Sequence, residues 1–168
     1  MVILNRNRNL ERMDALTVQA LLYPALILII AVFLLATVPR SSLRRLIPYG
    51  IVLGGLIDVF WNMLFDDLLN VFRYTNLGIF DASGQLFLAP LAWSLIIVSY
   101  LYFWPRDNSP LRYFYVLAWA FLATGFSQLV RFAGLFEYRA WYYPFPMLIL
   151  FVIRFALIAQ IAKPWTNS

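Results

Sequence analysis

The chain contains no cysteine and no histidine. That excludes disulfides, thiolate nucleophiles, imidazole general bases, histidine-ligated haem and the usual zinc sites. It also leaves the redox compartment unmarked. Charge is scarce as well: 12% of the 168 residues are Asp, Glu, Lys or Arg, against about 25% in an average soluble domain. The net charge is +5, but the basic residues do not gather into the patch a nucleic-acid binder needs. They sit mainly between apolar runs, as topology determinants do. No Walker, Rossmann or serine-hydrolase pattern is present.

Apolar residues are abundant, at 63% of the chain, including six Trp, ten Tyr and fifteen Phe. Five runs reach the roughly 20 residues that a spanning helix requires. They are Leu16–Val38, Ile47–Phe65, Leu86–Trp104, Leu111–Val130 and Phe145–Ala162. Pro39, Pro105 and Lys163-Pro164 close three of them, and Pro48 is placed in a first turn, where its missing N–H is tolerated. The arginine-rich stretch Met1–Asp14 precedes a first run too long for a signal-peptide core and without a cleavage site, so that run reads as a retained span. None of the runs alternates with period two, as barrel strands would, and lipid forces backbone groups to pair within each segment. The expected fold is an all-α polytopic transmembrane helix bundle. It forms a single integral membrane domain over residues 1–168, with two interfacial aromatic connections.

Those connections, Asp66–Gln85 and Arg131–Pro144, fall on the same side of a five-span bundle. Their Trp and Tyr residues suit the depth of the membrane interface. They also echo each other. Each carries an arginine among hydrophobic residues, then Gly78-Ile79-Phe80-Asp81 or Gly134-Leu135-Phe136-Glu137, then a proline opening the next helix. Either helices two and three are a copy of four and five, or a Phe-rich chain has repeated itself by chance. Arg and Lys divide evenly between the two sides, so orientation is open. An outside N-terminus is preferred because it leaves the acid-containing loops outside and Lys163 inside.

Arg154 lies midway along Pro146–Ala162, a run with no other charge and only Gln160 as a further polar residue. A guanidinium at that depth costs about 3 kcal/mol on insertion scales, so it needs a partner and marks a functional site. On helix two, Gly50, Gly54, Asp58, Asn62 and Asp66 recur every four residues and form one stripe. Its upper part is a small-residue groove for another helix. Asp58 matches Arg154 in depth, and a charge-assisted pair is expected. Such a pair fixes helix register, or lets Arg154 hold an anionic head group or another subunit's carboxylate, or relays a proton.

Helix four presents Thr124, Ser127, Gln128 and Arg131 on one face. The expected ligand-binding set is Asp58, Asn62, Gln128 and Arg154, with Asp66, Asp67, Arg73, Arg131 and Glu137 at its rim. The rim reads first as a surface ion network that also includes Arg139, and only second as a binding rim. Asp66-Asp67 invites comparison with the metal-binding acid pairs of membrane prenyl- and phosphotransferases, but Leu68-Leu69-Asn70 adds no further acid. A retinal Schiff base is excluded, because the sole lysine, Lys163, is at the membrane edge. Some aromatics can line a pocket for a flat apolar ligand such as a quinone or isoprenoid. No metal or cofactor is implied.

The stretch from Ala123-Thr124-Gly125-Phe126 to Gly134-Leu135-Phe136-Glu137-Tyr138-Arg139-Ala140-Trp141 resembles a family of small multi-spanning membrane proteins from spore-forming bacteria. The resemblance rests on the Gly-Leu-Phe-Glu-Tyr-x-x-Trp turn and covers the C-terminal third. It implies a bacterial cytoplasmic membrane and carries over no activity.

The residues lead to an integral membrane protein that binds a small ligand without covalent chemistry, or forms part of a transporter or other complex. Five helices are few for a self-sufficient transporter, so a homo-oligomer or a membrane partner is expected, with no nucleic acid. Two alternatives stand beside it. One is a structural assembly subunit whose polar residues only fix packing; the other is a small intramembrane enzyme acting on a lipid or isoprenoid.

Overall fold

Pro39 precedes a helix that runs without a break over Arg40–Asp66. Arg40, Arg44 and Arg45 therefore form its first turns, and do not make a turn between the runs Leu16–Val38 and Ile47–Phe65. Pro48 lies inside the helix rather than in its first turn. It cannot donate to the Arg44 carbonyl, and just beyond it the helix widens. The segment Gly50–Leu56 is π-helical, Ile57–Asn62 is α-helical, and Met63–Leu68 is π-helical again. Bonding from i to i+5 places residues four and five apart on the same side. Gly50, Gly54 and Gly55 are accordingly all buried.

The computed structural model describes residues 21–75, 81–82, 85–86, 88–105 and 110–166. Its helices are α1 (Leu21–Thr37), α2 (Arg40–Asp66), α3 (Leu88–Tyr102), α4 (Leu111–Phe132) and α5 (Phe145–Thr166). Among the described residues, three stretches are long and apolar enough to cross a membrane: Arg40–Asp66, Leu111–Phe132 and Phe145–Ala162. The other two helices are shorter. The 15 residues of α3 rise about 22 Å, below the ~30 Å of a hydrocarbon core. The start of the expected first span, residues 16–20, lies outside the described residues. Large apolar side chains such as Leu28, Phe60, Phe114, Phe132 and Ile149 are exposed, on a scale that suits contact with lipid.

The small-residue groove of α2 is filled by α3. A Cβ placed on Gly54 would lie 2.5 Å from the Trp93 carbonyl oxygen and 2.8 Å from Ser94 Cα. Only glycine admits the neighbouring backbone that closely. Hydroxyls within the helices bond back to their own turns, as Ser94 does to the Pro90 carbonyl and Thr124 to that of Ala120, which satisfies them without water.

Both aromatic connections fold into strands. β1 (Phe72–Tyr74) pairs antiparallel with β4 (Phe136–Tyr138), setting Phe72 against Tyr138, Arg73 against Glu137 and Tyr74 against Phe136. A second ribbon joins β2 (Asp81–Ala82) to β3 (Gln85–Leu86). The β1–β4 ladder is locally two-fold. Thr75 N–H donates to the Leu135 carbonyl and Arg139 N–H to the Val71 carbonyl, both at 3.0 Å. Each strand follows a helix end with one left-handed residue, Asn70 (φ 47°) or Gly134 (φ 74°), and then a buried aliphatic, Val71 or Leu135.

At the end of α4 the bonds Gly134 N–H to Arg131 O and Leu135 N–H to Val130 O form a Schellman cap. At the end of α2 the corresponding bond reaches one residue further, from Val71 N–H to Phe65 O, because that turn is π-helical. The echo between the connections thus takes a different register from the one expected. Val71-Phe72-Arg73-Tyr74 matches Leu135-Phe136-Glu137-Tyr138, while Gly78-Ile79-Phe80 lies outside the described residues. α2 packs chiefly on α3, and α4 on α5, so each half contributes a helix, a strand and a helix.

The core divides in two. One cluster holds Leu34, Val38, Tyr100 and Phe155, and the other lies by the β1–β4 ladder with Tyr23, Phe72, Phe136, Tyr142 and Met147.

Candidate functional site

Asp58 sits on the α-helical stretch between the two π segments of α2, and Arg154 midway along α5. Both are buried, at 3% and 4% exposure. Arg154 Nη1 donates to Asp58 Oδ1 at 3.4 Å, and Nη2 donates to the Gly54 carbonyl at 3.2 Å. Asn62, one turn along α2, donates from Nδ2 to the other carboxylate oxygen at 3.4 Å. The guanidinium carbon lies 4.1 Å from the centre of the Trp93 ring on α3, a cation–π contact of the desolvated kind. One arginine therefore joins α2, α3 and α5.

Its charge is met, but not all of its donors are. Among the described residues, Arg154 Nε is the buried side-chain nitrogen or oxygen without a hydrogen-bond partner. An unmade bond of that kind costs about 1–3 kcal/mol, and more for a charged group. Arg154 also lines a half-open cavity of about 50 Å³. Water needs about 10–15 Å³ of such space, and a dry cavity that takes benzene is nearer 150 Å³. The space holds a few atoms of a ligand's head, not a whole ring.

The cavity lies between the two halves, against the strand ladder. Asp58, Trp61 and Asn62 come from α2, Phe126 and Ser127 from α4, and Phe72, Tyr74 and Phe136 from the strands. Tyr23 and Tyr74 share a hydrogen bond between their hydroxyls. Burial holds the Tyr74 phenol well above its ordinary pKa, helped by the nearby Tyr23 and Asp58. Burial likewise pushes Tyr142 up to about 12, against the pull of Arg154. Both phenols keep their protons; that of Tyr74 is donated to the Tyr23 hydroxyl.

Of the expected ligand-binding set, Asp58, Asn62 and Arg154 come together at the cavity. Gln128 does not line it. Its Oε1 accepts from the Tyr138 hydroxyl, and Ser127, one residue earlier, faces the space instead. At the expected rim, Arg73 and Glu137 stand opposite each other across the ladder. Arg131 stacks 4.6 Å over the Tyr138 ring. Asp66 is half-buried at the end of α2, where its carbonyl caps Asn70, and the Asp67 side chain lies outside the described residues. Among the described residues, no three His, Cys, Asp or Glu side chains gather where a metal would be held. Trp93, Tyr23, Tyr74 and Tyr142 carry no sequence signal that separates them from the other aromatics.

The architecture is a helical bundle of membrane character around a half-open cavity, lined by one ion pair and lying against the strand ladder. Comparison with models of protein families, with curated proteins and with solved structures finds no match.

Proposed function

We propose that the chain is a multi-pass protein of a bacterial cytoplasmic membrane that binds a small ligand in the Asp58–Arg154 cavity, on its own or as a subunit of a transporter or other complex. In this reading all five helices span. α3 is kept short by the ribbon at its start. The observation that carries the reading is the unspent Arg154 Nε donor at a cavity built between two similar halves. Where transporters carry parallel repeats, their substrate sites lie at the repeat interface near the midplane. Oligomerisation or a partner fits the small number of helices.

Arg154 stays protonated at any accessible pH and cannot serve as a base, so its role is holding, not proton transfer. The test compares Arg154→Gln with Asp58→Asn for folding and for the lipids or proteins that co-purify. The binding role requires that Arg154→Gln lose a bound species. A folded Arg154→Gln protein that keeps every companion would overturn it. A second reading, structural glue, draws on the contacts of Arg154 with Asp58, Gly54 and Trp93, which pin three helices. It leaves the Nε donor unexplained.

A further inference from the structure

We infer that the head group this cavity accepts is a neutral hydrogen-bond acceptor of the carbonyl type, such as a ketone, ester or amide oxygen, and not an anion. The inference rests on the binding role proposed above and names the ligand's chemistry. It follows from the charges and donors of the site. Among the fifteen lining residues only Asp58 and Arg154 are charged, and they are paired, so the cavity has no net charge to offer. A carboxylate or phosphate entering it would leave one negative charge uncompensated in a low-dielectric interior, at a cost of several kcal/mol. A cation would meet the same obstacle, with Arg154 already over the Trp93 face.

The hydrogen-bonding capacity is biased in the same direction. The unsatisfied buried atom, Arg154 Nε, is a donor. Tyr142 lines the cavity as a protonated phenol, while the Tyr74 proton is engaged by Tyr23. Both Asp58 oxygens already accept, one from Arg154 and one from Asn62. A bond from a charged donor to a neutral acceptor contributes about 1.5–3 kcal/mol without importing charge. A cavity of about 50 Å³ admits a carbonyl and a few attached carbons, and the aromatic lining suits an apolar body behind it.

The experiment uses the full-length protein in lipid nanodiscs and four straight-chain probes of equal length. These are a methyl ketone with an isotope-labelled carbonyl, a carboxylate, a trimethylammonium and the plain alkane. Binding is read by calorimetry, and the labelled carbonyl stretch by infrared difference spectroscopy. The ketone is expected to bind at least about tenfold more tightly than either charged probe. Its stretch should fall in frequency in the wild type. That shift should be lost in Arg154→Gln and reduced in Tyr142→Phe, which leaves the ion pair intact should Arg154→Gln fail to fold. Equal or tighter binding of the carboxylate or the ammonium would overturn the neutral class and leave the binding cavity standing. No binding of any probe would overturn both. A ketone shift unchanged in both variants would place the ketone elsewhere and overturn the assignment.

Discussion

Arg154 and Asp58 meet 3.4 Å apart across 96 residues of sequence, each contributed by a different half of the chain. The contact ties α5 to α2 at a depth where neither helix carries a second charge. It neutralises the guanidinium and leaves its Nε donor unspent.

Removing one member of that pair leaves the other buried and unpaired, which costs about 3–5 kcal/mol in proteins generally. Asp58→Asn and Arg154→Gln are each expected to lower the thermal midpoint sharply. The double variant Asp58→Asn/Arg154→Gln should lose less than the sum of the two single changes. Additive losses would mean that the two side chains do not act as a pair.

Two glycines make a matched test of helix packing. Gly54→Ala drives a methyl into the α3 backbone, and overpacking of that kind costs about 1–3 kcal/mol. Gly125, on α4, has nothing within 4 Å of the corresponding position, and alanine is the better helix former. Gly125→Ala is expected to be neutral or stabilising. Equal losses at the two sites in a thermal-unfolding assay would contradict the close α2–α3 approach.

The ladder can be tested by cross-linking, because the chain has no native cysteine to interfere. Arg73 and Glu137 are direct partners in β1 and β4, and antiparallel partners stand at about 4.5–5.5 Å between Cα atoms, within disulfide reach. The variant Arg73→Cys/Glu137→Cys is expected to oxidise to an intrachain disulfide, seen as a mobility shift reversed by reductant. Failure to cross-link would separate the two connections.

Tyr142 gives a pH signature. An unfolded tyrosine ionises near 10, whereas burial raises folded Tyr142 to about 12. The stability it confers is complete below about pH 10 and is lost as pH rises toward 12, because the unfolded chain then gives up a proton that the folded chain keeps. The alkaline fall in unfolding midpoint should be shallower in Tyr142→Phe. Identical profiles would contradict a buried, protonated phenol.

The sequence showed the ion pair because an acid and a base stood alone at matched depth in apolar runs. It showed the groove because Gly50 and Gly54 are four apart. It could not show the π-helical turns, which no residue type marks, nor that the helix begins at Arg40 and so takes Pro48 into its interior. Helical spacing alone puts Gln128 in the cavity, but the ladder brings Tyr138 onto it and Ser127 faces the space. The matching Phe-x-Tyr strands were hidden because one left-handed position is filled by Asn70 and the other by Gly134. The aromatics of the cavity resemble those that anchor any membrane protein, and only the fold separates them.

The central claim is that the Arg154 Nε donor serves a bound molecule. An experimental density map of the cavity in the protein purified with its native lipids tests it most directly. The account expects non-protein density larger than a single water, with an acceptor atom about 2.7–3.2 Å from Nε. A map in which Nε is satisfied by a protein group or one ordered water, with nothing else in the cavity, would contradict it.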